Sequence, residues 1–183
     1  MRTFFSTIVI LLLSVTLSVK SQPILQAKIT TTNMSEFTNL GFSVDITDNL
    51  ALLGAPGKGN EQGQACLYRR IESNWELLTC IEPTLDEVDD IRQFGKTVSL
   101  SDQYLVIGAT LQKSGNNGIA FVFQHSGSSY IQQSVLRSNV SYNNDNFAHS
   151  VSLSGIYLAI GSPGIAASHE GNVNLYKKTS SGW

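Results

Sequence analysis

Three histidines, two cysteines and one dense acidic run are the residues of this chain best equipped for chemistry. His125, His149 and His169 are of the type that ligates zinc or serves as the base of a nucleophilic triad. They fall at unrelated places and share no carboxylate or hydroxyl partner, so neither catalysis nor a zinc site is expected and all three read as surface histidines. Asp86-Glu87-Val88-Asp89-Asp90 has the carboxylate density that calcium requires, but it reads first as a solvated connection between structural units. No glycine-rich phosphate loop is present, because the glycines here follow strands and open strands, not helices. Cys66 and Cys80 have no histidine near them in sequence, which speaks against a nucleophilic thiol.

What the cysteines do instead depends on the compartment. Arg2 supplies one positive charge, residues 4–19 carry none and are rich in Ile, Leu and Val, and Val19-Lys20-Ser21 offers a cleavage site after Ser21. Residues 1–21 are therefore expected to be a secretory signal peptide, since the apolar stretch is shorter than the roughly 20 residues that span a bilayer. Nothing after Ser21 is apolar for long enough to insert in a membrane, and the expected location is secreted or cell-surface. In that oxidising setting Cys66 and Cys80 read as a disulfide across a hairpin centred on Ser73, the alternative being two buried free thiols. The sequons at Asn33 and Asn139 fit a glycoprotein of the same compartment.

Composition sets the class. The 183 residues hold 12 Lys and Arg against 14 Asp and Glu, a net charge of −2, which excludes a basic nucleic-acid binder. With 42% apolar and 14% charged residues, and 15 Gly against 4 Pro, the chain is globular and turn-rich.

An internal repeat organises everything after the leader. Leu40-Gly41-Phe42-Ser43-Val44-Asp45-Ile46 aligns without a gap on Phe94-Gly95-Lys96-Thr97-Val98-Ser99-Leu100, and that on Phe147-Ala148-His149-Ser150-Val151-Ser152-Leu153. The period is 54 and then 53 residues, from Gly41 to Gly95 to Ala148. Later landmarks keep step: Gly63, Gly118 and Gly171, then Tyr68, Phe123 and Tyr176. Within each repeat, short apolar or alternating segments separated by Ser-Asp, Gly-Asn and Ser-Gly turns predict four strands, and no window shows a helical stripe. A four-stranded unit recurring at this length predicts an all-β fold of β-propeller blades, each a four-stranded antiparallel sheet. Phe94, Phe147, Tyr104 and Tyr157 are expected to pack between blades. Gly41 and Gly95 are expected at tight turns or close approaches, Gly54, Gly108 and Gly161 where the second strand turns onto the blade edge, and Ala55, Ala109 and Ser162 at a crowded centre.

The run Phe94-Gly95, Val98-Ser99-Leu100-Ser101 and Tyr104-Leu105-Val106-Ile107-Gly108-Ala109 resembles the FG-GAP repeat of the integrin α-chain N-terminal β-propeller. The resemblance covers residues 40–183. Gly54-Ala55-Pro56 is intact in the first copy, where Leu40-Gly41 stands for Phe-Gly; Gly108-Ala109-Thr110 is close in the second; Phe147-Ala148 and Gly161-Ser162-Pro163 drift in the third. The implied organisation is a propeller region over 22–183 with repeats at 40–93, 94–146 and 147–183. Ile24-Leu25-Gln26-Ala27-Lys28-Ile29 precedes Leu40 by the interval that separates Leu136 from Phe147, so 24–30 reads as an orphan outer strand.

The resemblance implies a non-catalytic extracellular binding or adhesion module without cofactor, whose partner is a protein or glycan held on one propeller face. The loops at 58–62, 112–117 and 166–170 are the expected contact surface. Integrin-type repeats often carry an Asp-x-Asp-x-Asp-Gly calcium loop, yet the stretches here at 57–62, 111–117 and 164–170 contain no aspartate, so calcium is not expected in them. Alternative readings are an accessory propeller of a secreted phospholipase-type hydrolase, or a truncated structural fragment. Three blades fall short of the four to eight that close a ring, which raises a longer propeller or self-association to complete one.

Overall fold

In a computed structural model the chain is described over residues 24–30, 38–83, 91–109, 111–112, 118–139, 145–164 and 170–183. The expected signal peptide at 1–21, Asn33, the acidic run at 86–90 and His169 lie outside these residues, as do most of the loops at 112–117 and 166–170.

The repeat folds as expected into consecutive antiparallel meanders. The first sheet is built from β1 (Ser43–Ile46), β2 (Leu50–Ala55), β3 (Gln64–Ile71) and β4 (Asn74–Ile81), with a single turn α1 (Lys58–Glu61) between β2 and β3. A short strand β5 (Ile91–Arg92) leads to the second sheet, whose order is β6 (Thr97–Leu100), β7 (Tyr104–Ala109), β9 (Ile119–Ser126) and β10 (Ser129–Arg137). The two-residue β8 (Leu111–Gln112) pairs with β5 as a separate ribbon that the periodicity does not announce. The third sheet holds β11 (Ser150–Ser154), β12 (Tyr157–Ser162) and β13 (Asn172–Lys177).

The hairpin turns repeat in their chemistry. The Thr47 hydroxyl accepts the Leu50 N–H at 3.2 Å, and one repeat later the Ser101 hydroxyl accepts the Tyr104 N–H at 3.2 Å. Each hydroxyl occupies a backbone group that the reversal leaves without a ladder partner. Asp145 does the same before the third sheet, its Oδ1 accepting the Phe147 N–H at 3.0 Å, as a turn role for that polar run requires.

Burial separates the three sheets. Every residue of β7 is buried, as are Ile119 to Phe123 of β9, because the second sheet is covered on both faces. The β12 pattern alternates, with Leu158 and Ile160 buried against the second sheet. One core holds Leu52, Ala65 and Leu67 of the first sheet against Phe94, Val98, Leu100, Ile107 and Phe121 of the second. The other sets Tyr104, Val106, Ala120 and Val122 of the second against Phe147, Leu153, Leu158 and Ile160 of the third. Phe94 and Phe147 are wholly buried between sheets. Tyr157 is not: it is 56% exposed, since its face of the third sheet is uncovered.

Polar junctions recur with the cores. The Ser43 hydroxyl donates to the Gly95 carbonyl at 2.8 Å, and its repeat equivalent Thr97 donates to the Ala148 carbonyl at 3.0 Å. One step along, Asp45 Oδ2 accepts both the Leu100 N–H at 2.8 Å and the Ser99 hydroxyl at 2.9 Å. Ser99 Oγ in turn accepts the Leu153 N–H at 3.0 Å. The first strand of each sheet is thereby bonded to the first strand of the next.

Three further expectations are corrected. Gly54 and Gly108 do not turn the chain; they sit inside β2 and β7, where a Cβ on Gly54 would run into the Gly95 carbonyl and one on Gly108 would press on the Ala148 carbonyl. Residues 24–30 form no strand, and Ile24 and Leu25 lie exposed. The sequence shows no helical stripe, yet 58–61 make one turn, with Gly59 and Asn60 left-handed and Glu61 at φ 69°. That turn is held from outside, the Glu61 and Gln62 carbonyls accepting the Gln93 and Phe94 N–H groups at 2.6 and 2.9 Å.

Cys66 and Cys80 are directly opposed on β3 and β4 and form a disulfide, Cα to Cα 4.0 Å. The turn beyond them is Glu72-Ser73, offset from Ser73 by an irregularity in register between Leu67 and Tyr68, with Glu72 left-handed at φ 55°. With a sequence separation of 14 between the cysteines, reduction should lower stability by about 3 kcal/mol, read as the shift of a urea midpoint with and without reductant. Gly54→Ala should destabilise by about 1–3 kcal/mol because backbone must move. Measured on the dilute monomer, Gly161→Ala should change the melting temperature far less, because within one chain the new methyl meets only Ser150, whose hydroxyl can rotate.

Candidate binding grooves between the first two sheets

The turns β1–β2 and β6–β7 lie at one edge of the array, and the β2–β3 loop at the opposite edge, since they flank β2 at its two ends. Both edges carry a concavity. At the turn edge two adjoining open grooves of about 430 and 440 Å³ share Asn49, Leu50 and Asp102. Arg69 and Arg70 from the end of β3, His125 from β9 and Tyr130 from β10 line the second of them. At the opposite edge, Gly59, Asn60, Gln62 and Arg92 surround about 240 Å³.

Local structure explains the turn-edge set. Arg70 N–H donates to the Asn49 carbonyl and His125 N–H to the Gln103 carbonyl, so each third strand extends beside the preceding turn and delivers its last side chains to the rim. The His125 ring lies 5.0 Å from that of Tyr130, its partner across β9 and β10. Burial lifts the Tyr130 phenol above its ordinary value of 10.0; Arg69 opposes the shift and Asp102 adds to it. In repeat register, Arg69-Arg70, Gln124-His125 and Lys177-Lys178 are equivalent, so the same edge carries a cationic or imidazole side chain in all three sheets. Guanidinium groups beside a phenol and an imidazole present directional donors and flat rings, suited to carboxylate, sulfate or sugar hydroxyls.

Of the expected contact loops, 58–62 lines the opposite-edge concavity, while Gln112 pairs in β8 and Glu170 is exposed. The turn-edge groove is not expected from the sequence, as its residues come from two turns and four strand ends. The visible signal is the adjacent pair Arg69-Arg70, repeated as Lys177-Lys178 at the equivalent positions. His125, His149 and Asn139 are exposed. Among the described residues no three of His, Cys, Asp or Glu converge to hold a metal, and no helix is long and apolar enough to cross a membrane. Neither comparison with family models nor comparison with curated proteins finds a match to this chain.

Three tyrosines give the chain a pH signature. Tyr68, Tyr130 and Tyr176 all have phenols raised above 10.0 by burial. The folded chain holds these protons more tightly than the unfolded one, so the associated stability is complete below pH 10 and is lost as pH rises through the raised folded values. Thermal melts from about pH 8 to about pH 11 should show the melting temperature falling at the alkaline end, and Tyr130→Phe should lessen the fall.

Proposed function

We propose that the chain supplies FG-GAP blades of a β-propeller and works as an extracellular or cell-surface binding module without catalysis of its own. The observation that carries this reading is the repeated junction: in two successive steps, repeat-equivalent residues bond the first strands of neighbouring sheets side by side. That is the arrangement in which blades gather around an axis with their outer strands fanned away. The Cys66–Cys80 disulfide and the charge-poor apolar leader support secretion.

The ligand in this reading is a protein or glycan bearing an anionic group, received at the turn edge between the first two blades. Arg69 and Arg70 supply the charge-assisted donors, Tyr130 and His125 the flat walls, and Asp102 disfavours a uniformly anionic polymer. The test is binding of the immobilised chain to sialylated and sulfated glycans beside their neutral counterparts. The anionic members should bind, and Arg69→Ala with Arg70→Ala should weaken them at least tenfold, given roughly 1.5–3 kcal/mol per hydrogen bond to a charged group. Equal binding of neutral and anionic glycans, or indifference to the double substitution, would refute the assignment of the groove.

A further inference from the structure

We propose that two copies of this chain join head to tail, the third sheet of one covering the first sheet of the other, through the junction already used twice within the chain. Each internal junction has a trailing face, given by one sheet, and a leading face, given by the next. The trailing residues of the first sheet, Ala65 and Leu67, correspond in the repeat to Ala120 and Val122 of the second, and all four are buried. Their equivalents in the third sheet are Val173 and Leu175, 65% and 80% exposed. The leading residues Val98 and Leu100 are buried against the first sheet, whereas their equivalents on that sheet, Val44 and Ile46, are 66% and 64% exposed.

The polar half of the junction is open at the same two ends. Thr97 and Ser99 bond the third sheet, and their equivalents Ser150 and Ser152 stand exposed, with no side-chain hydrogen bond across a junction among the described residues. At the other end the Gly41 carbonyl holds the place that Gly95 and Ala148 fill as acceptors. The Ile46 N–H, equivalent to those of Leu100 and Leu153, rests on its own neighbour Asp45 Oδ1 at 2.9 Å. Both halves of the internal junction are thus present on one molecule, on opposite faces, apolar and exposed, which is the condition for a heterologous contact.

The faces used here are distinct from the turn-edge groove, so ligand binding and self-association fail separately.

Sedimentation velocity of the purified chain tests the proposal. The unmodified chain should sediment as a dimer; Val44→Lys and Leu175→Lys should each be monomeric with unchanged circular dichroism. Their equimolar mixture should regain a dimer, because one variant keeps an intact trailing face and the other an intact leading face. Should lysine unfold either variant, Val44→Thr and Leu175→Thr carry the same comparison. A monomeric unmodified chain, a Leu175→Lys chain that still dimerises, or a mixture that stays monomeric would overturn it.

Discussion

A four-stranded meander one layer thick has two faces and no interior, so each sheet here depends on a neighbour to remove its apolar side chains from water. The second sheet meets that condition on both sides, and its central strands are buried along their whole length. The outer two sheets meet it on one side only. What makes the stacking specific is the polar seam along the first strands: Asp45 and Ser99 have oxygens at the one place where the next strand presents an N–H. Apolar packing alone would tolerate sliding by a residue or a tilt; a half-buried carboxylate oxygen that must find two donors does not.

The strand pattern and the cysteine pairing were legible because both follow from local spacing. Four strands per repeat appear in the second sheet at nearly the predicted positions, and Cys66 lies opposite Cys80 as the hairpin arithmetic requires. The tight-turn reading of Gly41 and Gly95 agrees with their left-handed φ of 86° and 87°. Gly54 and Gly108 were legible only as glycines. Their reason is a carbonyl some forty residues further along the chain, and no local pattern contains it. Tyr104 and Tyr157 share a repeat position but not a surrounding, so the repeat predicts the same burial for both and the structure divides them.

The candidate groove was the least legible part. Asn49, Arg69, Asp102, His125 and Tyr130 are unremarkable one by one and converge because turns and strand ends of two sheets share an edge. The repeat that fixes the scaffold does not constrain those positions, which is why neighbouring copies there carry Arg70, His125 and Lys178. Scaffold positions are tied to packing partners in the adjacent sheet, whereas edge positions face solvent and are free to differ in chemistry.

The disulfide has a mechanical side. It joins β3 to β4, and β4 is the outermost strand of the first sheet, held along one edge only. Tension applied through the chain ends would pass across the Cys66–Cys80 bond and leave the hairpin between them unloaded. The 14-residue separation withholds roughly 50 Å of contour at about 3.3–3.6 Å per residue. A sheet with one uncovered face would in this way keep its outer hairpin folded under a pull that strips β1 and β2, and its extension would be shorter than that of the second sheet by that length.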